Sequence, residues 1–116
     1  FMSKRSEERR MTQGARTLKF LRQQAKLSFR AAAKASGIGD GMINHLEHGR
    51  VQIHQKHLDK LLRAYGSTQQ TYEMFASGAV ALPQDLRSDC IEIIRGMNLD
   101  QLKTAHPVLA SLAARK

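Results

Sequence analysis

Residues 27–49 decide the fold, and they read Leu27-Ser28-Phe29-Arg30-Ala31-Ala32-Ala33-Lys34-Ala35-Ser36-Gly37-Ile38-Gly39-Asp40-Gly41-Met42-Ile43-Asn44-His45-Leu46-Glu47-His48-Gly49. Ser28 has the side chain that a helix N-cap needs, and a helix is predicted after it. Gly37 suits the left-handed residue that ends such a helix. A second short helix is predicted over residues 40–48, and it ends before another glycine.

The two helices are predicted to cross closely. Ala33 is small enough to let the second helix approach the first, and Ile38 and Ile43 fill the angle between them. Two short helices joined by a tight glycine turn form a helix-turn-helix, whose second helix enters the major groove of DNA.

Helical periodicity continues on both sides of this motif. A first helix is predicted from Ala15, and a fourth ends at Gly66. Ser67 would cap a fifth helix, which ends near Gly78. The apolar residues that define these helices recur at intervals of three and four, and they are Ala15, Leu18, Leu21, Ala25, Leu58, Leu61, Leu62, Tyr65, Tyr72 and Phe75.

A second, smaller element follows a linker. Pro83 is predicted to begin a sixth helix, Asn98 to cap another, and Pro107 to start a last short one. The fold class is therefore all-α, with five helices in a helix-turn-helix domain and a C-terminal helical hairpin or short helices. The predicted divisions are a basic flexible arm over residues 1–13, the helix-turn-helix domain over 14–78 and a C-terminal dimerisation element over 79–116.

Charge separates these parts. The 116 residues carry 19 Lys and Arg against 10 Asp and Glu, a net charge of +9. The whole excess lies before residue 67, because the remaining residues balance. A basic half beside a neutral half indicates a polyanion-binding part and a part with another role. No apolar run is long enough to span a membrane, and a membrane partner is not expected.

The motif resembles the lambda-repressor-like, Xre-type helix-turn-helix domain. The resemblance extends back to Leu21-Arg22 and forward to Tyr65-Gly66, and it covers about residues 14–77. It implies that Arg22 pairs with Glu47 as a structural ion pair. It also implies that the third helix faces the bases of double-stranded DNA through Asp40, Gly41, Met42, Asn44 and His45. Of these, Asn44 is suited to adenine and Met42 to a thymine methyl group.

Contacts to phosphate are expected from residues at helix starts and in flanking loops. The expected set is Ser28, Phe29, Arg30, Lys34, Arg50 and Lys56. Phe29 stands where such domains usually have a Gln that contacts the backbone. Gly39-Asp40-Gly41 replaces the usual polar start of the recognition helix, so direct base readout is predicted to be thin.

The other polar residues do not indicate a catalytic or metal site. His45, His48, His54 and His57 crowd one stretch, but no Cys or carboxylate completes a familiar zinc spacing. Proximity to DNA is the preferred interpretation, with protonation strengthening phosphate contacts. No nucleophile–base pair, phosphate loop or carboxylate dyad is present, so no enzyme activity, cofactor or metal is expected.

The C-terminal helices carry apolar stripes that need a partner. We expect them to form a homodimer interface through Leu86, Cys90, Ile93, Ile94, Met97, Leu102 and Leu109. Packing back onto the first domain is the alternative. Cys90 is predicted to be a buried core thiol.

The expected function is a sequence-specific transcriptional regulator, a repressor that binds an operator as a homodimer in the bacterial cytoplasm and is nucleoid-associated when bound. One alternative is the antitoxin of a toxin–antitoxin pair, with a small protein partner at the C-terminal helices. Another is an interaction module that has lost specific DNA binding.

Overall fold

The computed structural model describes the backbone of residues 4–115 and the side chains of residues 13–115. Within this range the secondary structure is helical, with no strand. The helices are α1 (Lys4–Gln24), α2 (Phe29–Ser36), α3 (Asp40–Glu47), α4 (Gln55–Ala64), α5 (Gln69–Ala76), α6 (Pro83–Arg95) and α7 (Leu99–Ala114). They belong to two compact units, Phe1–Leu82 and Pro83–Lys116.

The first unit has one apolar core. α1 packs against α3 and α5, and α2 packs against α3 and α4. The core residues come from all five helices and from the α2–α3 turn, and the main ones are Leu18, Leu21, Ala32, Ile38, Ile43, Leu46, Leu58, Leu61, Leu62, Tyr65 and Tyr72. The predicted inward positions of the helix-turn-helix are therefore correct.

The local signals of the motif also act as predicted. The Ser28 hydroxyl accepts the Ala31 N–H at 3.1 Å and caps α2. Gly37 has φ of 78°, which L side chains rarely adopt, and its N–H closes the helix on the Ala33 carbonyl. α3 begins at Asp40 and ends at Glu47, one residue short of the predicted end.

Two predictions about the first unit need correction. The helix predicted from Ala15 begins earlier, at Lys4, so the backbone of residues 4–13 is helical. That stretch has no glycine or proline and consists mainly of strong helix formers. The cap of α5 is Thr68 rather than Ser67. The Ser67 N–H still bonds the Leu62 carbonyl at 2.9 Å, so this residue belongs to the end of α4.

The second unit begins at Pro83, so the predicted boundary after residue 78 is four residues early. Leu82, in the predicted linker, is fully buried. Asn98 caps α7 in a capping box with Gln101, as the cap position predicted. Pro107 does not begin a helix but lies inside α7. Pro107 is exposed, and water can replace the hydrogen bond that its missing N–H would have made.

The two helices of the second unit barely contact each other. None of their described residues is buried. The predicted hairpin is therefore an open pair of helices, and the prediction that Cys90 is a buried thiol is wrong for the single chain, where it is exposed. An apolar stripe indicates which face of a helix tends to be buried, but it does not tell whether other residues of the same chain bury that face.

Candidate nucleic-acid interface

A buried ion pair joins α3 to α1 within the first unit. Arg22 on α1 donates through Nε to Glu47 Oε2 at 2.7 Å and through a terminal nitrogen to Oε1 at 3.0 Å. The second terminal nitrogen donates to the Leu27 carbonyl at 2.8 Å. The side chains of Arg22 and Glu47 are 10% and 1% exposed. Both are therefore unavailable to DNA, and the pairing implied by the family resemblance is present.

The ion pair and the burial around it shift the pKa values of Arg22 and Tyr65. The hydrogen bond to Glu47 raises the pKa of Arg22 above its usual value, although burial acts in the opposite direction. Tyr65 lies in the same core, where burial and the charge of Glu47 raise the pKa of its hydroxyl. Its hydroxyl oxygen is buried and has no hydrogen-bond partner among the described residues.

Phe29 belongs to this support rather than to the phosphate surface. Its ring lies beneath the Arg22 guanidinium, 4.2 Å from the guanidinium carbon to the ring centroid. Such stacking stabilises an arginine that is removed from water. The ring has no hydrogen-bonding group, so the predicted phosphate contact at this position is left to the backbone N–H in the first turn of α2.

α3 presents an open face to solvent. Ile43, Leu46 and Glu47 are buried on one side of the helix. With about 100° between successive residues, Gly41 and His45 lie near the centre of the opposite face. The predicted base-contacting residues Asp40, Gly41, Met42 and His45 are all exposed. They therefore share an accessible surface, with Met42 on one flank.

Asn44 lies on the other flank and is half-buried. Its Oδ1 atom is buried and has no hydrogen-bond partner among the described residues. Bidentate pairing with adenine needs both the oxygen and the nitrogen of the amide. The predicted adenine contact therefore requires a rotation of the Asn44 side chain, whereas His45 is already exposed.

His48 was predicted to lie near DNA as part of the histidine cluster, although it was not among the predicted base-contacting residues. It follows Gly41 and His45 at helical spacing on the open face, and its side chain is exposed. Its Nδ1 atom lies 2.7 Å from the Asn44 carbonyl. Because a carbonyl oxygen only accepts, Nδ1 donates, and the neutral ring then has Nε2 as an acceptor.

Cationic side chains flank the open face. Arg30 and Lys34 on α2 border a shallow concavity with Ser28, Gly37 and Gly39. Ser28 already uses its hydroxyl as the N-cap. Two further cations, Arg50 in the loop after α3 and Lys56 in the first turn of α4, are exposed. Within residues 13–115, no carboxylate forms an ion pair with any of these four cations, so their charge is available to an external anion.

The remaining histidines of the cluster lie at the start of α4. The rings of His54 and His57 are 6.5 Å apart and meet edge to face. His57 Nδ1 is buried without a hydrogen-bond partner among the described residues. No group of three or more metal-ligating side chains is found in the described part of the chain. The same residues include no helix that is long and apolar enough to cross a membrane.

Comparison with known proteins gives one match. A family model described as a helix-turn-helix domain matches residues 15–73, which contain the ion pair, the turn and the open face of α3. Neither the curated proteins nor the solved structures gave a significant match.

Proposed function

Because the chain belongs to the helix-turn-helix domain family, we propose that it is a sequence-specific DNA-binding regulator. It acts as a repressor that binds an operator as a homodimer and blocks transcription. The site of action is the bacterial cytoplasm, at the nucleoid. The proposed role involves no catalytic step.

One observation carries this proposal. α3 is joined to α1 by a buried ion pair and exposes its opposite face, and four exposed cations in α2, in the loop after α3 and in α4 form no ion pair with a described carboxylate. A helix with an exposed face and flanking unpaired cations suits a groove between two phosphate backbones. Arg30, Lys34, Arg50 and Lys56 would hold the phosphates, and α3 would lie in the major groove.

Base recognition would centre on His45. Its exposed imidazole can reach a guanine edge, and Met42 can pack on a thymine methyl group. Gly41 has no side chain to reach a base, and Asp40 can accept a hydrogen bond only from a base amino group such as that of cytosine. Specificity would therefore come from few contacts, which makes two copies on a two-fold operator necessary.

The test begins with selection of a preferred duplex from a random library, or with the DNA upstream of the gene, at about 150 mM salt. His45→Ala should lower the affinity for the preferred duplex by about 5- to 150-fold, equal to about 1–3 kcal/mol, and should relax one base position. Gln70→Ala, a comparable truncation at an exposed position of α5 in the same unit, is the control and should have little effect. No preferred sequence, or equal effects of the two variants, would contradict the proposal.

A second pair of variants isolates the phosphate contacts. Arg30→Ala should weaken binding to every duplex and reduce the slope of log affinity against log salt by about one. Arg63→Ala removes the same charge from the same unit, but at the far end of α4 from Lys56, and the slope should stay unchanged. Equal slopes for the two variants would show that the cations act only through net charge.

The antitoxin alternative is favoured by one observation, the exposed apolar faces of α6 and α7. It predicts a small protein partner bound at those helices. Purification from the native host with a stoichiometric second protein would favour this alternative. A preferred DNA sequence without such a protein would favour the regulator.

A further inference from the structure

The second unit has no core of its own. No described residue of α6 or α7 is buried. Of the ten exposed large hydrophobic side chains among residues 13–115, eight lie in this unit, with exposed fractions between 37% and 66%. They are Leu86, Ile91, Ile93, Leu99, Leu102, Val108, Leu109 and Leu112. Two helices with this much exposed apolar surface need a permanent partner to remain folded.

The apolar residues are arranged in two seams. The seam of α6 contains Leu86, Cys90 and Ile93 at spacings of four and three, and Met97 in the connection continues it after four more residues. The seam of α7 contains Leu102, Ala105, Leu109 and Leu112 at spacings of three, four and three. This spacing is typical of helices that pack side by side in bundles.

The two seams border an open cleft. Cys90, Ile93 and Met97 line it from α6 and the connection, and Ala105 and Leu109 line it from α7. The cleft has a volume of about 570 Å³. Because the helices that form it barely contact each other, the cleft can receive a third helix between them.

We propose that a second copy of this chain fills the cleft. α7 of each copy lies in the α6–α7 cleft of the other, and the four helices form an intermolecular bundle around a two-fold axis. This inference deepens the function proposed above and rests on it for the need for two copies. Whether the helices associate is nevertheless independent of DNA.

Charge favours a second copy over an oppositely charged partner. Residues 83–116 carry four acidic and five basic side chains, so two such surfaces meet with little repulsion. The excess positive charge of the chain lies in the first unit, which is the part proposed to bind DNA. A strongly acidic or basic partner would find no matching charge on α6 and α7.

The shape of the surface also fits self-association. α6 has 13 residues and α7 has 16, and each helix presents one apolar seam along its length. Each copy offers both a cleft and a helix with an apolar seam to enter it, which is the self-complementarity that a two-fold interface requires.

Cys90 provides a probe of this arrangement. It is exposed in the single chain and lines the cleft. In the bundle its thiol is covered by the partner's α7. Its reaction with a thiol reagent should therefore be slow at high protein concentration and should accelerate on dilution.

The test is sedimentation of the full chain without DNA, at concentrations up to about 50 µM, with a matched pair of variants. Ile93→Asp places a charge in the cleft and should weaken association at least about 100-fold, because a buried unpaired carboxylate is strongly unfavourable. Ile91→Asp makes the same change two residues away, at an exposed position that does not line the cleft. It should remain dimeric and keep Cys90 protected.

Several outcomes would overturn the proposal. These are a monomeric wild-type chain at about 50 µM, a dimer that Ile93→Asp leaves intact, or a different protein that occupies the helices at one-to-one stoichiometry. Tyr65 and Tyr72 lie in the first unit, so tyrosine fluorescence checks that the variants keep that unit folded. Failure of DNA binding with an intact dimer would refute the proposed function and leave this inference standing.

Discussion

Removal of the charge on Glu47 tests the physical account of the recognition helix most directly. Glu47→Gln keeps the size of the side chain but removes the negative charge that accepts two hydrogen bonds from Arg22, at 2.7 and 3.0 Å. Arg22, whose side chain is 10% exposed, would keep the Leu27 carbonyl, the Phe29 ring and at most one neutral hydrogen bond to the new amide oxygen.

The expected cost follows from burial. Breaking a buried ion pair from one side costs about 3–5 kcal/mol, because a charge is left without compensation in a low-dielectric interior. A domain of this size has about 5–15 kcal/mol of stability in total. Glu47→Gln should therefore lower the midpoint of urea unfolding by roughly 2 M.

The assay can report on the first unit alone. The chain has no Trp, and its two Tyr residues, Tyr65 and Tyr72, both lie in the core of that unit. Tyrosine fluorescence in urea therefore follows the unit that contains Glu47. The matched control is Glu73→Gln on α5 of the same unit, where the exposed carboxylate accepts a hydrogen bond from the Gln69 side chain at 3.0 Å. Exposed surface charges of this kind contribute well under about 1 kcal/mol.

The reasoning would be refuted by a loss below about 1 kcal/mol for Glu47→Gln, or by equal losses for the two variants. A third variant tests the origin of the cost. Replacing both partners, Arg22→Met with Glu47→Leu, should recover most of the stability, since no charge is then left buried.

Three other predictions concern the close packing at Gly14, the buried tyrosine hydroxyl groups and the glycine in the first turn of α3. A Cβ at Gly14 would lie 2.6 Å from the Tyr72 hydroxyl oxygen, so Gly14→Ala should destabilise the first unit by about 1–3 kcal/mol, although alanine has the better helix propensity. In urea unfolding, adding Tyr72→Phe should restore part of this loss of stability. If the losses from the two substitutions simply add, the contact is contradicted. Burial raises the pKa values of Tyr65 and Tyr72, so the unfolded chain releases protons above about pH 10 that the folded chain retains, and stability should fall by about 1.4 kcal/mol per pH unit for each tyrosine. Absorbance of tyrosinate should then rise together with unfolding, and ionisation near pH 10 in the folded state would be evidence against this. At Gly41 a Cβ would meet nothing within 4 Å, so Gly41→Ala should stabilise α3 by up to about 1 kcal/mol; if α3 enters the groove as proposed, the same variant should weaken operator binding, and unchanged affinity would show that DNA does not approach this turn.

The helix-turn-helix could be predicted because its signals are local. Ser28 caps α2, and Gly37 takes the left-handed conformation that ends it. Both depend on residues within about one turn of the same chain segment. The alternation of buried and exposed positions on α3 follows from helical periodicity for the same reason. The cap of α5 is Thr68, one residue after the predicted Ser67. Helix ends predicted from local signals are uncertain by one or two residues, about the size of this difference.

Only the tertiary structure determined the surroundings of Phe29 and Asn44, which the sequence analysis had placed on the DNA-facing surface. The sequence places Phe29 at the start of α2, but only packing reveals that its ring supports Arg22. The sequence gives Asn44 a position on α3, but its buried Oδ1 results from how α3 sits on its neighbours. Burial depends on which distant segments meet, and that information is not contained in local periodicity.

For this protein, the sequence by itself determined the helical fold class, the turn, the basic first half and the neutral second half. These properties follow from caps, periodicity and the charge of individual residues. Only the tertiary structure decided that α1 begins at Lys4, that α7 continues through Pro107, and that Cys90 lies open beside a cleft. The physical reason is that burial depends on which segments meet in the folded chain: they close one core in the first unit, whereas the described residues of α6 and α7 remain unburied.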